Sequence, residues 1–496
     1  CRQLSSMKTH PNIILIMTDQ QRFDTIGAWG NEHMVTPNMD RLAGNGVSFR
    51  QTYCPGATCV ASRAAMFTGM YAHNTGAHSF FNWGHHRTWV QDLAEGGYYC
   101  ASIGKMHFQP RDVFGGYHDR IVVENPTSVT NWGGNGDDDW GNYLHLNSKA
   151  RPNHRHRSDP AWRRKFQCVP WELEEHLHSD VFTGNAATGW IDHYEEDKPL
   201  FLQIGFPGPH EPWDPMPRHL ERYRNKSFPK PYMRDGELNE KPPQHRAHQV
   251  FHASVDHESR IDMPNITSGD IENIQRHYYA KISLVDEQVG KVISALEKKG
   301  ILEDSIIVFC SDHGDMLCDH QLIYKWLMYD TVTRVPLIIS GQDIPQSCEV
   351  NDLVSLMDVG PTILQLAGID PPTRLEGRSL KPYLEGAPID PGKYVYCEDN
   401  YMIMMRGERY KLVYYIGQEE GEFYDMLEDP GELDNLWKDP SLKPIQKEMK
   451  LELLGWIAAS TYWNSGYKCD EPGNYKRRHP SPNNPWLHGN TAKPKP

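Results

Sequence analysis

The clearest feature of the chain is an unbroken apolar run, Asn12 to Asp19 (NIILIMTD), closed by polar residues. A run without alternation predicts a strand buried on both faces. Similar short runs recur at Phe201 to Phe206 (FLQIGF), Ile306 to Cys310 (IIVFC) and Pro336 to Ile339 (PLII). Helical patterns lie among them. Between Tyr278 and Lys299, the residues Ile282, Val285, Val289, Val292, Ile293 and Leu296 repeat at the spacing of one helix face, and Gly300 supplies a stop. Val354 to Leu366 reads likewise, with Pro361 inside it marking a kink or restart. Strands alternating with helices predict an α/β fold: a large, mostly parallel sheet sandwiched by helices.

That pattern fades after about residue 375. Met402 to Met405, Tyr410 to Ile416 and Glu422 to Met426 look like short strands, with turns at Arg406-Gly407 and Gln418 to Gly421, followed by a charged amphipathic helix from Pro444 to Ala459. This predicts a smaller C-terminal α+β subdomain with an antiparallel sheet. The expected division is therefore a catalytic α/β domain over residues 10–375 and a subdomain over 376–496, within the two to three domains or so that the length suggests. The stretch from 110 to 195 is rich in Trp, His, Asn and Gly with weak periodicity, and is expected to form long loops over a site. There is no internal repeat.

A net charge of −14 argues against nucleic acid as the main partner. A local basic cluster can still bind an anion: residues 149–165 hold seven Lys or Arg against one Asp, and read equally as a solvated loop or a polyanion-binding rim. The longest purely apolar stretch near the start, Ile13 to Met17, is too short to span a bilayer. Ten cysteines in a chain this long, with no C-x-x-C pair, are not a disulfide scaffold or a zinc motif. Cys1 resembles the mature end of a bacterial lipoprotein, which predicts an exported, periplasmic or extracellular protein with a lipid anchor at Cys1; it is equally just where the sequence starts. Asn225 and Asn265 head formal glycosylation sequons.

In an open α/β sheet, ligands gather beyond the carboxyl ends of the strands. Two predicted strands end in metal-ligand types, at Asp19-Gln20 and at Asp312-His313. Either alone reads as a turn or a cap; two such ends together are more informative. The third piece is Cys59-Val-Ala-Ser-Arg63, running into Ala-Ala-Met-Phe-Thr-Gly69. Its alanines favour a helix with Cys59 in the first turn, where free N–H groups favour an anion, and with Arg63 one turn on. The alternative is a buried, inert cysteine.

Cys59 to Gly69 resembles the signature of the formylglycine-dependent (type I) sulfatases, of the alkaline phosphatase superfamily, with Ala61 in place of the commoner proline. The resemblance extends over Thr36 to Ala43, Gly104-Lys105-Met106-His107, Pro207 to His210, Ser311 to Asp315, Lys325 and Glu422 to Leu436. The Asp-Gln and Asp-His pairs lean toward the choline-sulfatase, phosphonate-monoester-hydrolase and iduronate-sulfatase branches. It implies that a maturation enzyme oxidises Cys59 to formylglycine, whose hydrate attacks sulfur and then collapses to the aldehyde. By the same resemblance, Arg63 holds the formylglycine, Lys105 and Lys325 bind sulfate oxygens, His107 takes the proton on collapse, and His210 with Lys325 stabilises or protonates the departing oxygen. Asp19, Gln20, Cys59, Asp312 and His313 are the implied ligands of a divalent metal. Hard oxygens suggest Ca2+, while the softer His313 keeps Mg2+ or Mn2+ open.

The resulting expectation is a sulfatase acting on a sulfated saccharide or polysaccharide fragment. A phosphonate monoester or phosphodiester hydrolase using the same site, and a non-catalytic glycan-binding relative, are the alternatives. Candidates for the substrate-pocket wall are His78, Trp83, His85, Trp132, His154 and Arg157. Oligomeric state leaves no mark in the sequence.

Overall fold

The computed structural model describes residues 10–464 apart from 80, 125–136, 153–165, 167, 256–260 and 388–390. Nine strands form one mixed sheet: β1 (Asn12–Asp19), β2 (Gly46–Tyr53), β3 (Tyr99–Gly104), β4 (Asp119–Val122), β5 (Leu200–Pro209), β6 (Ser305–Ser311), β7 (Arg334–Val335), β8 (Leu337–Gly341) and β9 (Cys348–Ser355). Their order is β4-β3-β5-β1-β6-β8-β2-β7, with β9 also paired to β2. Five ladders are parallel, and the three antiparallel ones all involve β7 or β8. Pro336, which has no ladder N–H, separates β7 from β8.

β1 lies inside the sheet and explains its own sequence. Ile13, Leu15 and Met17 enter one core while Ile14 and Ile16 enter the other, so every position needs an apolar residue. The first core is closed by the helices Cys59–Thr68, Trp89–Glu95 and Val359–Leu366. The second is closed largely by the helix Ser268–Lys299, and all six of its periodic residues, Ile282 through Leu296, lie in that core. This helix begins well before Tyr278, at a capping box in which Thr267 and Asp270 bond reciprocally; its first turns are largely exposed and so carry little apolar signal.

Two expectations need correction. Val354 to Leu366 is not one helix: residues 348–355 form β9 against β2, and the helix starts at Val359 with Pro361 in its first turn, where no N–H partner is lost. Within 110–195, too, the described residues are not loop throughout, because they include β4 and the helices Asp139–Leu146 and Ser179–His193. The last packs on β5 and on Ser268–Lys299; its Gly, Thr and Asn residues hide the helical period. In the basic stretch, Arg151 pairs with Asp137 and Asp138 over the Trp140 ring, and Lys149 faces Glu174. Residues 153–165 lie outside the described residues.

A second, four-stranded antiparallel sheet follows: β10 (Val395–Asp399), β11 (Met402–Arg406), β12 (Tyr410–Tyr415) and β13 (Gly421–Asp425). β10 is one strand more than the sequence pattern announced. The helix Lys443–Trp463 covers one face through Met449, Leu453 and Trp456, the last stacked on Tyr396 at 3.9 Å. Cys397, Met404, Val413 and Tyr424 on the other face join the first core of the main sheet. A buried polar link also ties the sheets: Lys411 bonds Asp330 at 2.9 Å and Glu432 at 2.7 Å, and Asp330 accepts from Tyr53, at the end of β2, at 2.9 Å. No described helix is long and apolar enough to cross a membrane.

Candidate active site

Register places the site. In the parallel group β3-β5-β1-β6, Gly104 sits opposite Gly205, Asp19 opposite Pro209, and Thr18 opposite Ser311. The residues just past these carboxyl ends therefore converge: Lys105 and His107 after β3, His210 after β5, Asp19 and Gln20 from β1, and Asp312 and His313 after β6. Close approach of β3 and β5 requires glycine at both 104 and 205. A Cβ on Gly104 (φ +103°) would lie 2.0 Å from the Gly205 carbonyl oxygen, and one on Gly205 would lie 2.2 Å from that of Lys105. Cys59 arrives from the segment after β2, as the first residue of its helix.

Arg63 binds the pieces together. Its Nε donates to Asp312 Oδ2 at 2.8 Å, Nη1 to the Lys105 carbonyl at 2.8 Å, and Nη2 to Asp19 Oδ2 at 3.2 Å. Lys105 Nζ adds an ion pair to Asp19 Oδ2 at 2.7 Å. Burial pushes the Asp19 carboxyl up, but Lys105, His210, Lys325 and Arg63 together outweigh it and hold the group well below the usual carboxylate range. Asp312 Oδ1 accepts the backbone N–H of Gln20 (3.0 Å) and of His313 (2.9 Å), and Ser62 Oγ donates to its carbonyl at 2.6 Å.

A group of side chains able to hold a cation lies beside this hub. One ligand atom each from Asp19, Cys59 and His313 lie within 4.8 Å of one another, all buried. His313 Nδ1 is bonded to the Gly314 carbonyl at 2.8 Å, so that nitrogen carries the proton and Nε2 offers a lone pair. Burial, with help from Lys325, holds its pKa down at about 4, so the ring is neutral. Gln20 is oriented by its neighbours: Nε2 donates to Asp315 Oδ2 at 2.5 Å and Glu211 Oε2 at 3.1 Å, leaving Oε1 to accept from Lys325 Nζ at 2.8 Å. Lys325 Nζ also lies 3.3 Å from His313 Nε2 and 3.8 Å from Cys59 Sγ. Asp19 Oδ1 is buried with no hydrogen bond. Ligand atoms brought together from three chain segments, one of them an unsatisfied carboxylate oxygen, fit a divalent ion. Asp312 stands at the edge of this set, its Oδ1 3.8 Å from His313 Nε2.

Burial raises the Cys59 thiol pKa, so as a cysteine it is a poor nucleophile. Lys325 is the reverse case, since burial lowers its pKa but Cys59, Asp19, Glu211 and Asp312 raise it further, keeping the ammonium. His107 has φ +59° and is held from both sides: its N–H donates to Glu124 Oε1 at 3.1 Å, its Nε2 lies 3.4 Å from Glu124 Oε2, and its carbonyl accepts from Trp83 Nε1 at 2.8 Å. His210 donates its N–H to the Asp19 carbonyl at 3.1 Å, and its Nδ1 bonds the Glu211 carbonyl at 2.8 Å. Burial, Lys325 and Lys105 push both histidines well below the usual imidazole range.

The pocket-wall candidates fare differently. Trp83 is fully buried, stacked on Phe108 at 4.4 Å, and supports His107 rather than facing a ligand. His85 is exposed with its ring 4.0 Å from that of His86, and His78 is half-buried near Glu398. Trp132, His154 and Arg157 lie outside the described residues. Several residues with no role in the sequence reading are part of the centre. Glu211 and Asp315 fix Gln20; the first follows His210 directly and the second closes the motif Ser311 to Asp315, which is signal enough to have found them. Glu124 has no such signal.

Comparison with known proteins gives the family. Residues 11–369 match the family Sulfatase, and residues 318–458 match N-sulphoglucosamine sulphohydrolase, C-terminal. An arylsulfatase of Clostridium perfringens is 29% identical over 466 residues, covering 86% of this chain and 90% of the relative. An N-acetylglucosamine-6-O-sulfatase of Bacteroides thetaiotaomicron is 28% identical over 517 residues, covering 90% and 85%. Among solved structures, the phosphonate monoester hydrolase of Agrobacterium radiobacter superposes with a TM-score of 0.76 at 23% identity, covering 91% of this chain and 96% of that one, a likeness of fold. The chain belongs to the sulfatase family, whose members are sulfuric ester hydrolases.

Proposed function

We propose that the chain removes sulfate from a sulfated saccharide, with Cys59 matured to formylglycine as the nucleophile. The observation that carries this reading is the position of Cys59 at a helix tip, inside the buried group formed with Asp19 and His313 and 3.8 Å from Lys325 Nζ. A cysteine with a raised pKa gains little from such surroundings, whereas an ionised oxygen would gain charge stabilisation from Lys325, from the helix N-terminus and from a cation held by Asp19 and His313. The match to an N-sulphoglucosamine sulphohydrolase C-terminal region and the likeness to an N-acetylglucosamine-6-O-sulfatase support a sugar as the group that carries the sulfate.

Asp19, Gln20, Asp312, His313 and the residue at 59 would hold a divalent metal, calcium by its hard oxygens or magnesium or manganese by His313, which supplies charge to the sulfate and acidity to the nucleophile. Lys105 and Lys325 bind sulfate oxygens and Arg63 fixes the frame. Lys325, held as the ammonium, can donate to the departing oxygen. His210 is neutral with Nδ1 committed to Glu211, so Nε2 starts as an acceptor and gains a proton only beside a bound anion. His107, neutral and oriented by Glu124, is the base for the proton released when the sulfated intermediate collapses.

The test is sulfate release by enzyme expressed with a formylglycine-generating enzyme, for wild type and Cys59→Ala, on a panel of monosulfated sugars, an aryl sulfate and an aryl phosphodiester. The wild type is expected to favour sulfate esters and Cys59→Ala to lose turnover while melting normally. Substantial release by Cys59→Ala, or a large preference for the phosphodiester, overturns the reading.

A further inference from the structure

Lys325 stands in a strained segment. Leu317, Cys318, His320, Gln321, Tyr324 and Trp326 all have positive φ, a conformation that non-glycine residues avoid and that lasts only where the surroundings impose it. Part of the hold comes from the centre itself. The Tyr324 N–H donates to Asp315 Oδ1 at 3.1 Å, and the Trp326 N–H to the Ala57 carbonyl at 3.1 Å, two residues before Cys59. The rest comes from outside it. The Lys325 carbonyl accepts from His248 Nε2 at 2.8 Å, and Gln249 Nε2 donates to the Gln321 carbonyl at 3.0 Å. Both donors belong to the helix Pro243–Val250, which runs on as a π turn, Phe251–Val255. One turn after His248, the His252 ring stacks on Trp326 at 5.3 Å and meets Tyr324 edge-on at 5.0 Å. Near its start the helix is tied to the second sheet, where His245 Nε2 lies 3.4 Å from Glu422 Oε2.

A carbonyl only accepts, so His248 carries its proton on Nε2. Its Nδ1 is buried without a hydrogen bond, so among the described residues the Lys325 carbonyl is the ring's one polar partner. The Lys325 ammonium rides on a flexible four-carbon stem, and where it can reach depends on where that stem begins. A shift of about 1 Å at a reacting group can cost roughly 100-fold in rate. Resting on the part given to Lys325 in the sulfatase reading above, we propose that His248 is a positioning residue for the reaction: its bond to the Lys325 carbonyl fixes the turn from which the ammonium reaches the bound sulfate and the departing oxygen. Gln249 and His252 hold the same segment on either side. The centre therefore extends to a helix that supplies none of its reacting groups.

The test is a double-mutant cycle on matured enzyme with 4-nitrophenyl sulfate: wild type, His248→Phe, Lys325→Ala and the pair. His248→Phe keeps a ring without the donor, and kcat/KM is expected to fall roughly 10- to 100-fold, mostly in kcat. His248→Gln, whose amide nitrogen reaches about as far as Nε2, should recover most of that loss. In the Lys325→Ala background His248→Phe should cost no more than about twofold, because the group it positions is gone. Where Lys325→Ala turns over too slowly to measure, the same cycle is read in the affinity for inorganic sulfate, from the rise in melting temperature. The same proportional loss in both backgrounds, no loss in either, or a glutamine variant no better than the phenylalanine one overturns the proposal. If His248→Phe fails to fold, His248→Asn, whose amide is one bond too short to reach the carbonyl, takes its place in the cycle. A wild type that hydrolyses no sulfate ester removes the part given to Lys325 instead, an outcome visible before any variant is made.

Discussion

Arg63 Nε and Asp312 Oδ2 meet at 2.8 Å across 249 positions of sequence, with neither side chain exposed. The same guanidinium reaches Asp19 and the Lys105 carbonyl, so three strand ends are held by one planar fork. Burial alone would lower its pKa, yet Asp312 and Asp19 raise it, which keeps the fork charged. Lysine cannot replace it, since one ammonium at the end of a flexible stem cannot face three acceptors in fixed directions. Arg63→Lys is expected to destabilise the protein by about 3–5 kcal/mol, as removal of one partner from a buried pair does, and to abolish most sulfate release. Urea unfolding checks it; a wild-type midpoint would contradict the role given to Arg63.

How much of this was legible in the sequence depended on period and on end chemistry. β1 and the face Ile282 to Leu296 announced themselves because burial forced every position or every third and fourth. Asp19, Asp312 and Cys59 were legible because strand ends and helix tips collect such groups. The end of β9, Val354-Ser355, was read into the following helix because a half-buried parallel strand, CEVNDLVS, runs into a helix without a turn signal. Glu124 was invisible for a different reason: it acts through contacts with His107 that only folding makes, with nothing periodic around it.

The ligand set of Asp19, Gln20, His313 and residue 59 predicts that metal binds the folded state and stabilises it. Treatment with EDTA is expected to lower the melting temperature, and an ion restored at 100 times its dissociation constant should return roughly 2.7 kcal/mol. His313→Ala should weaken that recovery. Melting followed with Ca2+, Mg2+ and Mn2+ in turn reads the preference, and a midpoint indifferent to the chelator and to all three ions would refute the site.

Glu422 gives a pH prediction away from the centre. It accepts from the Tyr415 hydroxyl at 2.5 Å and faces His245 at 3.4 Å. Burial would raise its pKa, but His245, Lys241 and Tyr415 outweigh that and bring it to about 2. Because the folded value lies below the ordinary one of about 4.5, the stabilisation is fully present above pH ~4.5 and is lost as pH falls toward 2. It amounts to something on the order of 3 kcal/mol. Glu422→Gln should therefore be less stable than wild type at pH 7, with a gap that closes on acidification through this window. Urea midpoints at pH 7, 5, 4 and 3 measure the gap; one that stays constant argues against the linkage.

Trp83 offers the sharpest contrast between a pocket wall and a support. Its indole N–H donates to the His107 carbonyl at 2.8 Å, and the ring packs on Phe108 with no exposure to solvent. His107 sits at φ +59°, a conformation that most side chains avoid, so its backbone needs outside bonds to stay there. Trp83→Phe keeps most of the packing but leaves that buried carbonyl without its donor, a loss of about 1–3 kcal/mol that falls on the orientation of His107. If His107 handles the proton of the second step, kcat should drop roughly tenfold, about 1.4 kcal/mol of barrier, while KM for sugar and aryl sulfates moves little. A rise in KM confined to sugars would instead put the indole against the substrate, which its burial excludes.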